Sequence, residues 1–221
     1  MKLKIGITGG NGSLGKVLIS SYNKVKFFKF KSDIRNKQKI FEWVKKNNFN
    51  AIIHLAAVVP IKTVNKDRKK AYNVNFIGTK NIVDVVAKSE VGWFFFSSTS
   101  HVYSSSKKKI SESFKKKPIS FYGKTKLLAE NYIIKKLHKS KKNYCIGRIF
   151  STSNINQKKN YLVPDLIQKI RKEKKIIVLK NLNHYRDFIS MKEISEIIMK
   201  LYKINFNGII NIGRGRGILL K

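Results

Sequence analysis

"TGGNGSLG", Thr8–Gly15, is the stretch that decides the fold. It follows "KLKIGITG", which reads as a strand, and opens into "SLGKVLISSYN", which reads as a helix. Gly9, Gly12 and Gly15 fall three apart at this strand-to-helix turn. A tight turn needs positive backbone angles, and a pyrophosphate needs room beside the main chain. The first turn of the helix, at Ser13 and Leu14, offers unpaired N–H groups and a partial positive charge. The stretch therefore predicts a dinucleotide site immediately after the first strand.

Working outward, short apolar runs alternate with helical patterns. "KVKFFKF", "NAIIHLAA", "VGWFFFSSTS" and "NYCIGRIF" read as strands. "KQKIFEWVKKNN", "KKAYNVNFIGTKNIVDVVAKS" and "FYGKTKLLAENYIIKKLHK" read as helices between them. Such alternation predicts an α/β fold, a doubly wound parallel sheet covered on both faces. The strands are nearly continuous in apolar residues, as strands buried on both sides are. After Phe150 the pattern loosens into a helix near "PDLIQKIRKEK", a strand "KIIVL", a helix "MKEISEIIMKLYK" and a strand "GIINIG". The expected division is a dinucleotide-binding domain over 1–150 and a partial substrate-binding region over 151–221, interleaved with it.

Composition narrows the class. The chain has 221 residues, 48 Lys plus Arg against 12 Asp plus Glu, and a formal charge of +36. The lysines are spread in twos and threes along the whole length, with no basic tail and no stripe of interleaved aromatics. This pattern fits compositional drift toward lysine rather than a nucleic-acid binder, and no nucleic-acid partner is expected. The field still attracts anionic ligands such as nucleotide diphosphates. The single cysteine, Cys145, excludes an intramolecular disulfide, and the four histidines show no metal-ligand spacing. No apolar run reaches the roughly 18 residues of a membrane span. With a first strand that begins at once and no signal peptide, a cytoplasmic location is expected.

The remaining candidates lie at strand ends. Asp33 and Ile34 follow the second strand, where Asp33 is placed to accept from the adenosine half of the cofactor or, alternatively, to cap the next helix. Lys29, Lys31 and Arg35 surround it and tolerate a 2′-phosphate, which leans toward NADP over NAD. "FFFSSTSHVY" ends a buried strand in hydroxyl residues, so Thr99 or a neighbouring serine can donate to a substrate oxygen. Tyr122 and Lys126 stand four apart at the start of the next helix and leave the same face. An ammonium beside a phenol favours the phenolate, and a tuned phenol can exchange a proton with a carbonyl oxygen as hydride moves.

Together, "TGGNGSLG", "SDIRN", "HLAA", "YNVNFIGTKNI", "SSTSHVY", "YGKTK", "RDFIS" and "NIG" occur in an order that resembles the extended short-chain dehydrogenase/reductase family, its NAD-dependent epimerase/dehydratase branch. The resemblance runs from Lys2 to about Gly213 and implies a Rossmann-type fold and hydride transfer on a nucleotide-linked sugar. It implies Thr99, Tyr122 and Lys126 as the catalytic triad. It places the "HLAA" stretch, His54, Leu55, Ala56 and Ala57, along the cofactor and has Asn75 bracing the active-site helix. Arg186 resembles the arginine that binds the sugar-nucleotide diphosphate, the alternative being a surface ion pair with Asp187. Ser100 and His101 stand beside the substrate, where dehydratases of the family carry Asp-Glu; this argues against dehydration and leaves His101 as a second proton carrier or a loop residue. The segment between Gly15 and Asp33 is compressed, Ser151 stands where the family has Asn, and family proteins continue well beyond "NIG". The expectation is an NAD(P)-dependent oxidoreductase or epimerase, possible as a homodimer; the alternative is a non-catalytic NAD(P)-binding protein of the same fold.

Overall fold

A computed structural model describes residues 3–106, 108–153, 162–172 and 183–220. The strand expected at "KIIVL" lies outside these residues.

The elements run in the order β1 (Lys4–Thr8), α1 (Ser13–Ser21), β2 (Lys26–Lys29), α2 (Lys37–Asn47), β3 (Ala51–His54), α3 (Ile61–Lys66) and α4 (Arg68–Tyr72). A π-helical turn, Asn73–Gly78, leads into α5 (Thr79–Val86). Then come β4 (Trp93–Thr99), a 3₁₀ turn at Ser100–Val102, α6 (Phe121–Lys139), β5 (Asn143–Ile149) and β6 (Ser151–Ser153). The last part holds α7 (Leu162–Lys172), β7 (Tyr185–Ser190), α8 (Met191–Lys203), β8 (Gly208–Ile212) and β9 (Gly217–Leu219).

Six strands form one parallel sheet in the order β2-β1-β3-β4-β5-β8. The strand alternation explains its two covered faces. Phe94 and Phe96 of β4 join Ile52, Val83, Ala129 and Ile133 on one side, under α2, α5 and α6. Trp93 and Phe95 join Ile5, Ile7, Ile53, Leu18 and Ile198 on the other, under α1 and α8. A continuous apolar run thus feeds two cores at once, as the sequence pattern requires.

β6, β7 and β9 form a small separate sheet, with β7 parallel to β6 and antiparallel to β9. β8, by contrast, returns to the large sheet beside β5, so the last third of the chain contributes to both. Helix starts are set by side chains: Asn36 caps α2, Ser120 caps α6, and Ser190 with Glu193 forms a reciprocal capping box on α8. The cap of α2 is therefore Asn36, not Asp33.

Candidate active site

The chain leaves β1 toward β2 on one side and places β3 on the other, so a crevice opens at the carboxyl ends of β1 and β3. Gly9 turns the chain there with φ of +70°, and a Cβ on it would lie 2.7 Å from the Ala56 amide nitrogen. A Cβ on Gly15 would lie 2.5 Å from the Gly9 carbonyl oxygen. Only hydrogen fits at these points. Gly12 is the residue before α1 and brings no side-chain cap, which leaves the helix's first N–H groups facing the crevice. Gly9, Gly12, Ser13, Leu14 and Gly15 line one wall; Leu55, Ala56 and Ala57 line another. This cradle suits a pyrophosphate on steric and electrostatic grounds.

The cleft has a volume of about 680 Å³ and continues from the glycine turn to Thr99, Tyr122 and Lys126. Thr99 ends β4, and its hydroxyl oxygen accepts the His101 N–H at 3.3 Å, which leaves its own proton to give. Tyr122 enters from the first turn of α6. That turn comes close because residue 123 is glycine: a Cβ there would overlap the His101 carbonyl oxygen. Tyr122 and His101 meet edge to face, with ring centres 6.1 Å apart. Lys126, one turn further on, is buried; its Nζ donates to the Ser97 carbonyl at 2.7 Å and sits 4.5 Å from the centre of the Phe96 ring. Burial pushes its pKa down to about 7, against the opposing pull of the Glu130 carboxylate.

Asn75, fully buried in the π-helical turn, accepts from Val58 N–H at 2.7 Å and reaches Thr125 of α6 at 3.4 Å. It braces the helix that carries Tyr122 and does not line the cleft. Asp33 is exposed and held by Arg35, whose Nε donates to Oδ1 and Oδ2 at 3.0 Å; these bonds lower its pKa to about 2. Ile34 buries its side chain against Gly78, leaving only its main chain available to a ligand. Neither residue is among those lining the cleft. Lys29 stands nearer the glycine turn, donating to Asn11 Oδ1 at 3.3 Å.

At the far end Ser100, His101 and Arg186 line the cleft together. Arg186 does not pair with Asp187, which accepts instead from the amides of Arg214 and Gly215. Its Nε contacts His184 Nε2 at 3.1 Å. His101 shows an exposed edge to the cleft, yet protein packs its inner side; that packing, then the Arg186 charge, lowers its pKa. Ser97, Ser98, Ser151 and Thr152 also line the cleft; they were not named as site residues from sequence, and the polar run after β5 is the signal that could have marked the last two.

Two features were not read from sequence. One is the burial of the His54 ring between Thr8 and Thr79, behind the cleft lining that Leu55, Ala56 and Ala57 form and not part of it. The other is an ion pair between Arg148 of β5 and Glu130 of α6 at 2.7 Å, fully enclosed, with Ser98 donating to the same carboxylate. A further groove of about 750 Å³ between α2 and α5 has an apolar floor of Phe41, Val44, Phe49 and Val91. It contains none of the hydroxyl, phenol and ammonium groups of the cleft. No group of three or more potential metal ligands occurs among the described residues, and no described helix is long and apolar enough to cross a membrane.

The model of the NAD dependent epimerase/dehydratase family matches residues 5–213. The chain belongs to that family. Among relatives of the NAD-dependent epimerase/dehydratase chain, the GDP-6-deoxy-D-talose 4-dehydrogenase of Aggregatibacter actinomycetemcomitans is 33% identical, over 97% of this chain and 76% of its own. In fold, the UDP-glucose 4-epimerase of Thermus thermophilus, solved with NAD, superposes with a TM-score of 0.86 at 17% identity, over 98% of this chain and 79% of its own. The dTDP-4-dehydrorhamnose reductase of Bacillus anthracis, solved with NADP, gives 0.83 at 24% identity, over 96% and 75%. The family's relatives are thus epimerases, reductases and dehydrogenases of nucleotide-linked sugars, and their dinucleotide is NAD in one structure and NADP in another.

Proposed function

We propose that this family member is an NAD(P)-dependent oxidoreductase acting at a carbinol or carbonyl carbon of a nucleotide-linked 6-deoxysugar. The supporting observation is that one cleft joins the glycine cradle to Thr99, Tyr122 and Lys126 in a chain that resembles a 4-dehydrogenase over nearly its whole length. The likeness to a 4-epimerase at 17% identity supports the fold alone. The bound dinucleotide supplies hydride exchange at its nicotinamide ring.

The chain's own groups do the rest. Tyr122 exchanges a proton with the sugar oxygen, donating when a carbonyl is reduced and accepting when an alcohol is oxidised. Thr99 donates a hydrogen bond to that oxygen and fixes its position. The Lys126 ammonium favours the phenolate form of Tyr122. Arg186 holds the diphosphate of the sugar nucleotide at the far end, with Ser100 and His101 beside the sugar. Lys29, close to the glycine turn, favours a 2′-phosphate and so NADP over NAD. The region 151–221 serves as substrate lobe through β6, β7 and the cleft-lining Ser151, Thr152 and Arg186.

The test is turnover of GDP- and dTDP-linked 4-keto-6-deoxysugars with NADPH or NADH. Stoichiometric loss of reduced dinucleotide is expected, and Tyr122→Phe should lower kcat by roughly 10²–10⁴-fold with the fold intact by circular dichroism. Full activity in the Tyr122→Phe protein refutes the assignment. Isomerisation without net dinucleotide loss replaces the oxidoreductase reading with an epimerase.

A further inference from the structure

The imidazole of His54 takes no part in the steps above, yet His54 ends β3, the strand that leads into the Leu55–Ala57 wall of the cleft. It is 1% exposed and lies nearly parallel to Phe96 with ring centres 5.8 Å apart. Its proton can be placed from its neighbours. The Thr79 hydroxyl donates its single proton to the Asn75 carbonyl at 2.7 Å. Toward His54 Nε2, 2.9 Å away, Thr79 can then only accept. Nε2 carries the ring proton and Nδ1 is bare. Nδ1 accepts from the Thr8 hydroxyl at 2.6 Å, and the same Thr8 oxygen accepts the Ala56 N–H at 3.3 Å.

Donation therefore runs in one direction along a fixed sequence of groups. Ala56 gives to Thr8, and Thr8 gives to His54. On the other side His54 gives to Thr79, and Thr79 gives to Asn75. The Asn75 side chain clamps Val58 through both its atoms and reaches Thr125, whose hydroxyl donates to the Tyr122 carbonyl at 2.8 Å. One end of this line abuts the glycine turn, since Ala56 packs directly on Gly9. The other end is the first turn of α6.

We infer that His54, as its Nε2–H tautomer, is a positioning residue that couples the cofactor-binding turn to the helix bearing Tyr122 and Lys126. A neutral imidazole offers an acceptor and a donor on opposite sides of one rigid ring, which neither Asn nor Gln reproduces in full. Its Thr8 arm fixes the Leu55–Ala57 wall of the cradle; its Thr79 arm fixes Asn75 and, through it, the start of α6. The inference rests on the oxidoreductase reading of the cleft.

Two substitutions separate the arms. His54→Asn keeps an acceptor at the reach of Thr8 and loses Thr79. His54→Gln keeps a donor at the reach of Thr79 and loses Thr8. Dinucleotide affinity is read by fluorescence titration with NADPH and NADH without substrate, and kcat at saturation separately. His54→Gln should bind dinucleotide about tenfold more weakly with kcat near wild type, since one net hydrogen bond is worth about that factor. His54→Asn should bind near wild-type affinity with kcat down about tenfold. Nitrogen-15 spectra of the intact wild-type protein at pH 7 should show the His54 proton on Nε2. Equal falls in affinity and kcat in both variants, tracking a lower Tm, reduce His54 to a structural residue and overturn the inference, as does an Nδ1–H tautomer. Undivided variants in an active wild type sink this inference alone. A wild-type chain that binds no dinucleotide overturns the functional reading and the coupling with it.

Discussion

On the β1–β3 side of the cleft the buried polar groups are neutral: Thr8, His54, Thr79 and Asn75, each at 1% exposure or less. On the β4–β5–β8 side they are ionic. Arg148 and Glu130, at 0% and 1%, pair at 2.7 Å, and Tyr103 receives from Arg148 at 2.8 Å while donating to Asn211 of β8 at 2.6 Å. Both networks are satisfied, and both tie a strand end to α6 or to the turn that braces it. They differ in what failure costs. A neutral hydrogen bond contributes little net and positions by direction, whereas each buried charge carries a desolvation penalty that only its partner offsets. The β1–β3 side can therefore be tuned one bond at a time, and the β4–β5–β8 side stands or falls as a pair.

The largest expected effect breaks the ionic side. Arg148→Met strands the Glu130 carboxylate and should cost about 3–5 kcal/mol, read from urea unfolding midpoints at pH 7. The double variant with Glu130→Met should recover most of that loss; if it does not, packing rather than charge dominates there. The neutral side should show itself in acid. Burial, then the Lys126 charge, holds the His54 pKa at about 3 against an ordinary 6.5, so the unfolded chain binds a proton that the folded one refuses. Its stabilisation is complete above pH 6.5 and is lost as pH falls toward about 3, a drop of a few kcal/mol by linkage. His54→Gln should flatten the fall in Tm between pH 6.5 and the onset of carboxylate protonation; an unchanged slope would place the titrating group elsewhere.

A smaller effect sharpens the contrast. Thr79→Val keeps shape but deprives His54 Nε2–H and the Asn75 carbonyl of their partner, for about 1–3 kcal/mol by the same denaturation assay. The smallest concerns Asp33 and Arg35, paired at 2.5 Å but nearly half exposed. Asp33→Asn should leave Tm unchanged, because solvent and salt screen such pairs. A clear loss would show that the segment after β2 is coupled to the core.

The glycine turn, the six strands of the main sheet and helices α1, α2, α6 and α8 were legible because their signals are local: apolar period, glycine at a turn, and a capping serine. The stretch "KKAYNVNFIGTKNIVDVVAKS" read as one helix, and the structure interrupts it with the π-helical turn at Asn73–Gly78. Nothing in the apolar spacing marks that turn. It sets Asn75 against Val58 and Thr125, partners that only the folded chain brings near. α3, β6, β7 and β9 were not anticipated either; they are short, and the three strands pair only with one another. At the site, Thr99, Tyr122, Lys126, His101 and Arg186 were picked from strand ends, one helix start and the family's motifs, and the structure lines one cleft with them. Asp33 was read as a ligand for adenosine or a helix cap; its carboxylate is held by Arg35, and Asn36 takes the cap of α2.

By itself the sequence determined the class of fold, the location of the glycine turn and the residue types available for chemistry. These follow from steric limits on a turn and from which faces of each element are apolar, and both are written in neighbouring residues. Only the tertiary structure decided the partners of His54, the partner of Arg148, the contacts of Asn75 with Val58 and Thr125 and the return of β8 to the large sheet. Each of those depends on which groups share a water-excluded interior, where a single unpaired donor or charge costs more than any local preference can restore.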